Sequence, residues 1–341
     1  MRRLILLGLI ILLPAALGGY VLHDEWHYAV EMPAEGYYLE VAPGDSLTTL
    51  SERLATDGVI RSDWMLNLYG RATGLDSRLH SGEYRLTGSL TAAQILDLIG
   101  RGDVVSYNVT LPEGITLARA MEILSSAPGI DAILTGLDDQ RLLELAAGRQ
   151  SAEGLFLPET YHYVRGTSDW KILKRAHADL MATLNQLWGG RPLSLPYEEP
   201  YEALIMASIV ERETGVPGER PQVAGVFIRR LQRGMRLQTD PTVIYGLGTD
   251  FDGNLTRAHL RDADNPYNTY RHSGLPPTPI ALAGASALRA AMRPEDGSAL
   301  YFVARGDGTH VFSDTLEQHQ RAVRRHQLQR RADYRSQPVR E

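Results

Sequence analysis

Glu211 closes an apolar run, residues 202–212 (EALIMASIVER), in which Ala203, Leu204, Met206, Ala207, Ile209 and Val210 nearly surround a predicted helix. At 3.6 residues per turn Glu211 shares a stripe with Leu204, Ala207 and Ser208. A carboxyl at the end of such a stripe is desolvated, which favours its neutral form. That is the state a general acid needs near neutral pH. The same spacing equally fits a solvated carboxylate that ends the helix beside Arg212 and Glu213, so spacing alone leaves both readings open. Downstream, Gln238, Thr239 and Asp240 precede Pro241. Asp240 there either caps a short helix or lines a substrate cleft, where it would be the second carboxylate of a two-carboxylate hydrolase. Tyr245, Tyr267 and Tyr270 each offer a flat ring for stacking and a phenol for hydrogen bonding to a ligand. Asn268 offers both a donor and an acceptor to a polar ligand. Packing for the tyrosines and turn bonding for the asparagine are the competing roles. His259, His272, His310 and His319 fall at separations that fit no compact metal-ligand pattern, and no metal or cofactor is expected.

These residues need elements to position them. The 341-residue chain has ample length for two domains, and 43% hydrophobic with 22% charged residues is globular composition. A net charge of −6 lacks the basic footprint of a duplex nucleic-acid binder, and the absence of cysteine excludes thiol chemistry, disulfides and thiolate metal sites. Residues 4–22 carry no charge and follow Arg2 and Arg3. As a helix they span about 28 Å, close to the roughly 30 Å hydrocarbon core. A retained single-pass anchor is the expectation, with a cleaved signal peptide as the alternative. Either way the positive flank stays cytoplasmic and the rest of the chain is exported. Residues 23–36 show no sustained period and are expected to be a linker. Beyond them the pattern is mixed α+β: a strand at 37–41, helices capped by Ser46 and Thr91, a second helix at 63–72, a strand at 83–86, and a strand at 104–111. Helices around 116–125 and 139–147 and an extended stretch at 153–163 follow. A long amphipathic helix at 170–188 precedes the run that ends in Glu211.

The strand–helix–helix–strand order with the Gly44-Asp45-Ser46-Leu47 entry resembles the small peptidoglycan-binding LysM module. A more specific resemblance lies downstream. ASIVERET at 207–214, FIRRLQRGMRLQTDPTVIYGLG at 227–248, NPYNTYRHSGLPPTPI at 265–280 and YFVARGDGTHVFSDT at 301–315 are similar, in order, to the endolytic murein transglycosylases of the YceG-like family. EGLFLPETY at 153–161 is a looser match. The resemblance implies a cytoplasmic stub and transmembrane anchor at 1–22 and the linker at 23–36. It further implies a LysM-like module at 37–104, a catalytic domain at 105–330 and a tail at 331–341. It implies an enzyme of the inner membrane whose catalytic part lies in the periplasm and cleaves nascent peptidoglycan, with the glycan-polymerising synthases as partners. It also implies that Glu211 is the catalytic acid and then base; Gln238, Asp240, Tyr245, Asn268 and Tyr270 are the residues that their own chemistry offers as substrate contacts. A hydrolytic muramidase using Glu211 and Asp240, or a non-catalytic wall-binding scaffold, are the alternatives.

Overall fold

The computed structural model describes residues 16–328. The chain divides into two compact units, one ending at Tyr107 and rejoined by His162–Thr167, the other formed by Asn108–Tyr161 and the chain from Ser168 onward.

The first unit runs β1 (Ala29–Glu31), β2 (Tyr37–Val41), α1 (Leu47–Thr56), α2 (Asp63–Thr73), β3 (Gly82–Leu86), β4 (Ser89–Thr91) and α3 (Ala92–Arg101). In β2 the alternation places Leu39 and Val41 in the core and leaves Tyr38 and Glu40 outside. The strand pairs antiparallel with β3, Tyr37 opposite Leu86. Ser46 caps α1 by accepting the Thr49 N–H, which turns Leu47, Leu50 and Leu54 inward. Thr91 and Gln94 form a capping box on α3, whose Ile95, Leu96 and Ile99 complete the core.

The stretch expected to be a linker is built into this unit. Residues 16–27 are helical, and Asp24 bonds Arg61 at 2.8 Å while Glu25 accepts from Ser62 at 2.8 Å. β1 then pairs with β4, and Met32 is buried in the core. A helix end followed by a three-residue strand is too short to leave a period in sequence. The return segment His162–Thr167 is held by Glu83, which is 6% exposed and receives Arg165 Nε at 2.9 Å together with the Tyr107 hydroxyl. Among the described residues no helix is long and apolar enough to cross a membrane. Most of the expected anchor, residues 4–15, and the expected tail, residues 331–341, lie outside the described residues.

The second unit is helix-rich. After β5 (Ser106–Thr110), which begins in the first unit, come α4 (Leu117–Ser126), α5 (Gln140–Ala146), β6 (Thr160–Val164), which ends in the first unit, α6 (Asp169–Gly189), α7 (Pro200–Glu213), α8 (Arg220–Gln232), α9 (Asp240–Leu247), α10 (Arg257–Arg261) and α11 (Ala285–Met292). A hairpin, β7 (Tyr301–Ala304) and β8 (His310–Ser313), and α12 (Leu316–Val323) close it. α7 lies at the centre, packed by α6, α8, α9 and α11. It starts at Pro200, whose fixed φ suits the first helical position. Every residue from 203 to 211 is buried, as an all-round apolar helix requires. Burying Leu204, Met206, Ile209 and Val210 contributes about 1.5–3 kcal/mol each, an upper range because the unfolded chain is itself partly compact.

Candidate active site

The last turn of α7 carries two carboxyls, Glu211 and Glu213. Residues two apart on a helix are rotated by about 200°, so the pair faces opposite sides. The two sides are different environments.

Glu211 faces inward. Its side chain is 2% exposed and receives Arg220 Nη2 at 2.7 Å on one oxygen and the Gly284 N–H at 3.1 Å on the other. The same Arg220 Nη2 reaches Glu113 at 2.9 Å. Burial pushes the Glu211 carboxyl above its ordinary range, Arg220 pulls it back, and the Glu113 charge adds to the rise. The arrangement ties three distant segments together: the turn before α4, the end of α7 and the loop entering α11. Gly284 admits this because it lacks a side chain, since a Cβ there would lie 1.8 Å from Glu113 Oε1. Gly284→Ala is therefore expected to push Glu113 off Arg220 and to destabilise the fold by about 1–3 kcal/mol in urea denaturation. Unchanged stability would show that the Glu113 contact has no structural weight.

Glu213 faces outward. It lines an open cleft of about 680 Å³ together with Gln238, Asp240, Tyr270, Arg230 and Tyr301, and Glu211 is not part of that lining. Burial pushes its carboxyl up to about 7. The Thr239 hydroxyl and the nearby Arg230 and Arg212 charges oppose the rise, while Asp240 adds to it. The partial negative charge at the C-terminus of α7 also disfavours the ionised form. Thr239 Oγ1 donates to Glu213 Oε1. Arg230 is itself committed to backbone, donating to the carbonyls of Leu300 and Leu237 at 2.7 Å each.

The sequence-predicted residues divide between cleft and scaffold. Gln238 is exposed on the cleft with φ at 53°, a left-handed conformation rare for glutamine, and its N–H donates to Thr269 O. Asp240 is the first residue of α9 rather than its cap, a place Thr239 takes, and its Oδ1 accepts the Tyr270 hydroxyl at 2.6 Å. Both acid and phenol line the cleft. Tyr245 does not line that cleft. Its hydroxyl donates to Glu153 at 3.3 Å and its ring packs edge-on against Tyr267, centroids 4.9 Å apart. Asn268 is fully buried: its Nδ2 donates to the His259 and Asp262 carbonyls and its Oδ1 accepts the Tyr270 N–H at 3.0 Å. These bonds use the side chain to brace its own loop, the turn-bonding role, and leave little for an acetamido group. Glu211, expected to be the acid, is likewise withdrawn from the cleft by its ion pair.

Residues 39–325 match the YceG-like family. The chain belongs to that family. It is similar to the endolytic murein transglycosylase of Bacillus subtilis (strain 168), 26% identical over 302 residues that cover 83% of each chain. It is also similar to that of Streptococcus pneumoniae serotype 2 (strain D39 / NCTC 7466), 23% identical over 84% of this chain and 57% of the other. A yceG-like protein of known structure from Listeria monocytogenes aligns at a TM-score of 0.54 and 30% identity, covering 85% of this chain and 99% of that one.

Within this YceG-like chain, the residues that sequence reasoning passed over are Glu213, Arg220 and Glu153. Glu213 sits two residues past the one singled out, at i+3 from Val210, i+4 from Ile209 and i+7 from Met206, and on a helix apolar all round periodicity does not rank one terminal carboxyl above the other. Glu153 is 4% exposed, accepts the Leu117 and Gly154 N–H groups, and burial pushes it up to about 7. It satisfies the first N–H of α4, which accounts for its burial without chemistry.

Proposed function

We propose that this YceG-like chain cleaves the glycan strands of peptidoglycan as a lytic transglycosylase, with Glu213 as general acid and then general base. The observation that carries the reading is a carboxyl held near 7 on the wall of an open cleft. The names of the relatives supply the substrate class. Protonated Glu213 donates to the oxygen linking N-acetylmuramic acid to N-acetylglucosamine, and that C–O bond breaks with the proton on the departing hydroxyl. The resulting carboxylate takes the proton of the muramic C6 hydroxyl as its oxygen closes on C1. A 1,6-anhydro end forms, Glu213 is protonated again and no water is consumed. One carboxyl suffices because the nucleophile is already part of the substrate.

Asp240 shares the cleft and supports a second reading, a hydrolase that uses it to activate water. Its commitment to the Tyr270 hydroxyl argues for a supporting role instead. Digestion of purified glycan followed by mass spectrometry separates the two. Ends one water lighter than hydrolysed ends are expected; hydrolysed ends would establish the muramidase, and intact glycan would leave a wall-binding scaffold.

The remaining parts of the reading rest on sequence. Residues 4–22 anchor the chain in the inner membrane, the β2–α1–α2–β3 unit acts as a LysM-like module, and the catalytic unit works in the periplasm on strands as polymerising synthases release them.

A further inference from the structure

Thr239 lies between the cleft and a buried threonine cluster. Its side chain is almost fully covered, with the residue 2% exposed. Its backbone N–H donates to Thr269 Oγ1 at 3.0 Å, and its carbonyl accepts from Thr242 Oγ1 at 2.9 Å. Thr242 and Thr269 hydroxyls are in turn 2.9 Å apart, and both residues are buried. The preceding Gln238 takes its left-handed φ to turn the chain into this position, and Thr239 caps α9 without spending its hydroxyl on the helix. A β-branched side chain on a backbone pinned at both ends has little rotamer freedom. Its one hydroxyl proton goes to Glu213 Oε1.

We propose that Thr239 is a positioning residue for the reaction: its hydroxyl fixes Glu213 Oε1 as an acceptor, so that the proton delivered to the glycosidic oxygen rides on Oε2. The inference rests on Glu213 being the acid. A hydroxyl has a single proton. While Thr239 donates it, protonation of Oε1 would remove a good bond, whereas protonation of Oε2 leaves it intact. The same bond steadies the carboxylate after proton transfer, at the moment Glu213 must act as base. It therefore opposes the effect of burial and keeps the group able to cycle between acid and base near neutrality.

The test compares Thr239→Val, which keeps the branched shape and removes the hydroxyl, with Thr239→Ser, which keeps the hydroxyl and loses a methyl. The readout is kcat/KM for cleavage of purified glycan across the neutral range. In Thr239→Val the alkaline limb is expected to move up by about one pH unit and kcat to fall about tenfold or more, with KM little changed. Thr239→Ser is expected to restore the parent limb. An unmoved limb in folded Thr239→Val, or an equal displacement in Thr239→Ser, would overturn the assignment. Glu213→Gln run alongside keeps the two ideas apart. If it is inactive and the limb stays put, only the positioning role fails; if it remains active, the choice of acid fails.

Discussion

Glu213→Gln is expected to reduce glycan cleavage by about 10²–10⁴-fold. Glutamine keeps the shape and still accepts from Thr239, but it has no proton to give and no basicity with which to recover one. Glu211→Gln supplies the contrast. It weakens a buried ion pair and lowers stability, yet at temperatures where the variant is folded it should retain far more activity than Glu213→Gln. The reverse order, with Glu211→Gln inactive while folded and Glu213→Gln active, would return the acid to Glu211. Anhydro-end release per unit time, measured beside a thermal melt of each variant, decides between them.

The pH dependence follows from the direction of the Glu213 shift. The first step requires the protonated carboxyl, so the parent rate should decline as pH rises through about 7. Stability carries the same sign. A carboxyl whose folded pKa lies above its unfolded value favours folding while protonated, and that advantage fades as pH climbs from about 4.5 to about 7. Above that range ionised Glu213 costs up to about 3 kcal/mol, which glutamine avoids. Glu213→Gln should thus be inactive and, at alkaline pH, at least as stable as the parent. Loss of activity combined with retained stability is hard to attribute to misfolding.

The contrast between these two glutamates also marks where the sequence is legible. Residues 203–210 announce a buried helix because they are apolar on every side, and burial on every side needs no knowledge of the partners. The caps at Ser46 and Thr91 are local chemistry and read directly. Periodicity assigns Glu211 to the stripe of Leu204 and Ala207, and the structure keeps it there, buried. What periodicity lacks is the identity of what meets each face. Arg220, Glu113 and Gly284 meet Glu211, whereas Thr239, Asp240 and an open cleft meet Glu213, and the decisive segments come from distant points in the chain. Asn268 is drawn into the scaffold for a related reason: its polar atoms bond His259, Asp262 and Tyr270, all within nine residues of it in the chain. Residues 23–36 read as a linker because a helix end and a three-residue strand are each shorter than one detectable period.

Arg220→Ala should produce the largest loss of stability, about 3–5 kcal/mol in chemical denaturation. Arg220 is 6% exposed and is the cation between Glu211 at 2.7 Å and Glu113 at 2.9 Å. Without it, Glu211, whose side chain is 2% exposed in the parent, keeps the Gly284 N–H at the end of an apolar helix but loses its cation. The carboxyl then escapes the cost by taking up a proton, so the deficit should be greater at pH 8 than at pH 5. Adding Glu211→Gln to Arg220→Ala should recover a large part of the loss, because the stranded charge is gone while the shape stays. A strictly additive double mutant would mean that the two side chains are not coupled. Arg220→Lys tests geometry separately: an ammonium restores the charge but lacks the planar fork, and full rescue would show that charge alone suffices. Since Glu213 projects from the same helical turn that Glu211 and Arg220 anchor, the single variant should also lose turnover at temperatures where it is folded. The Glu211–Arg220 pair on this account does not touch the substrate; it holds the turn from which the acid reaches it.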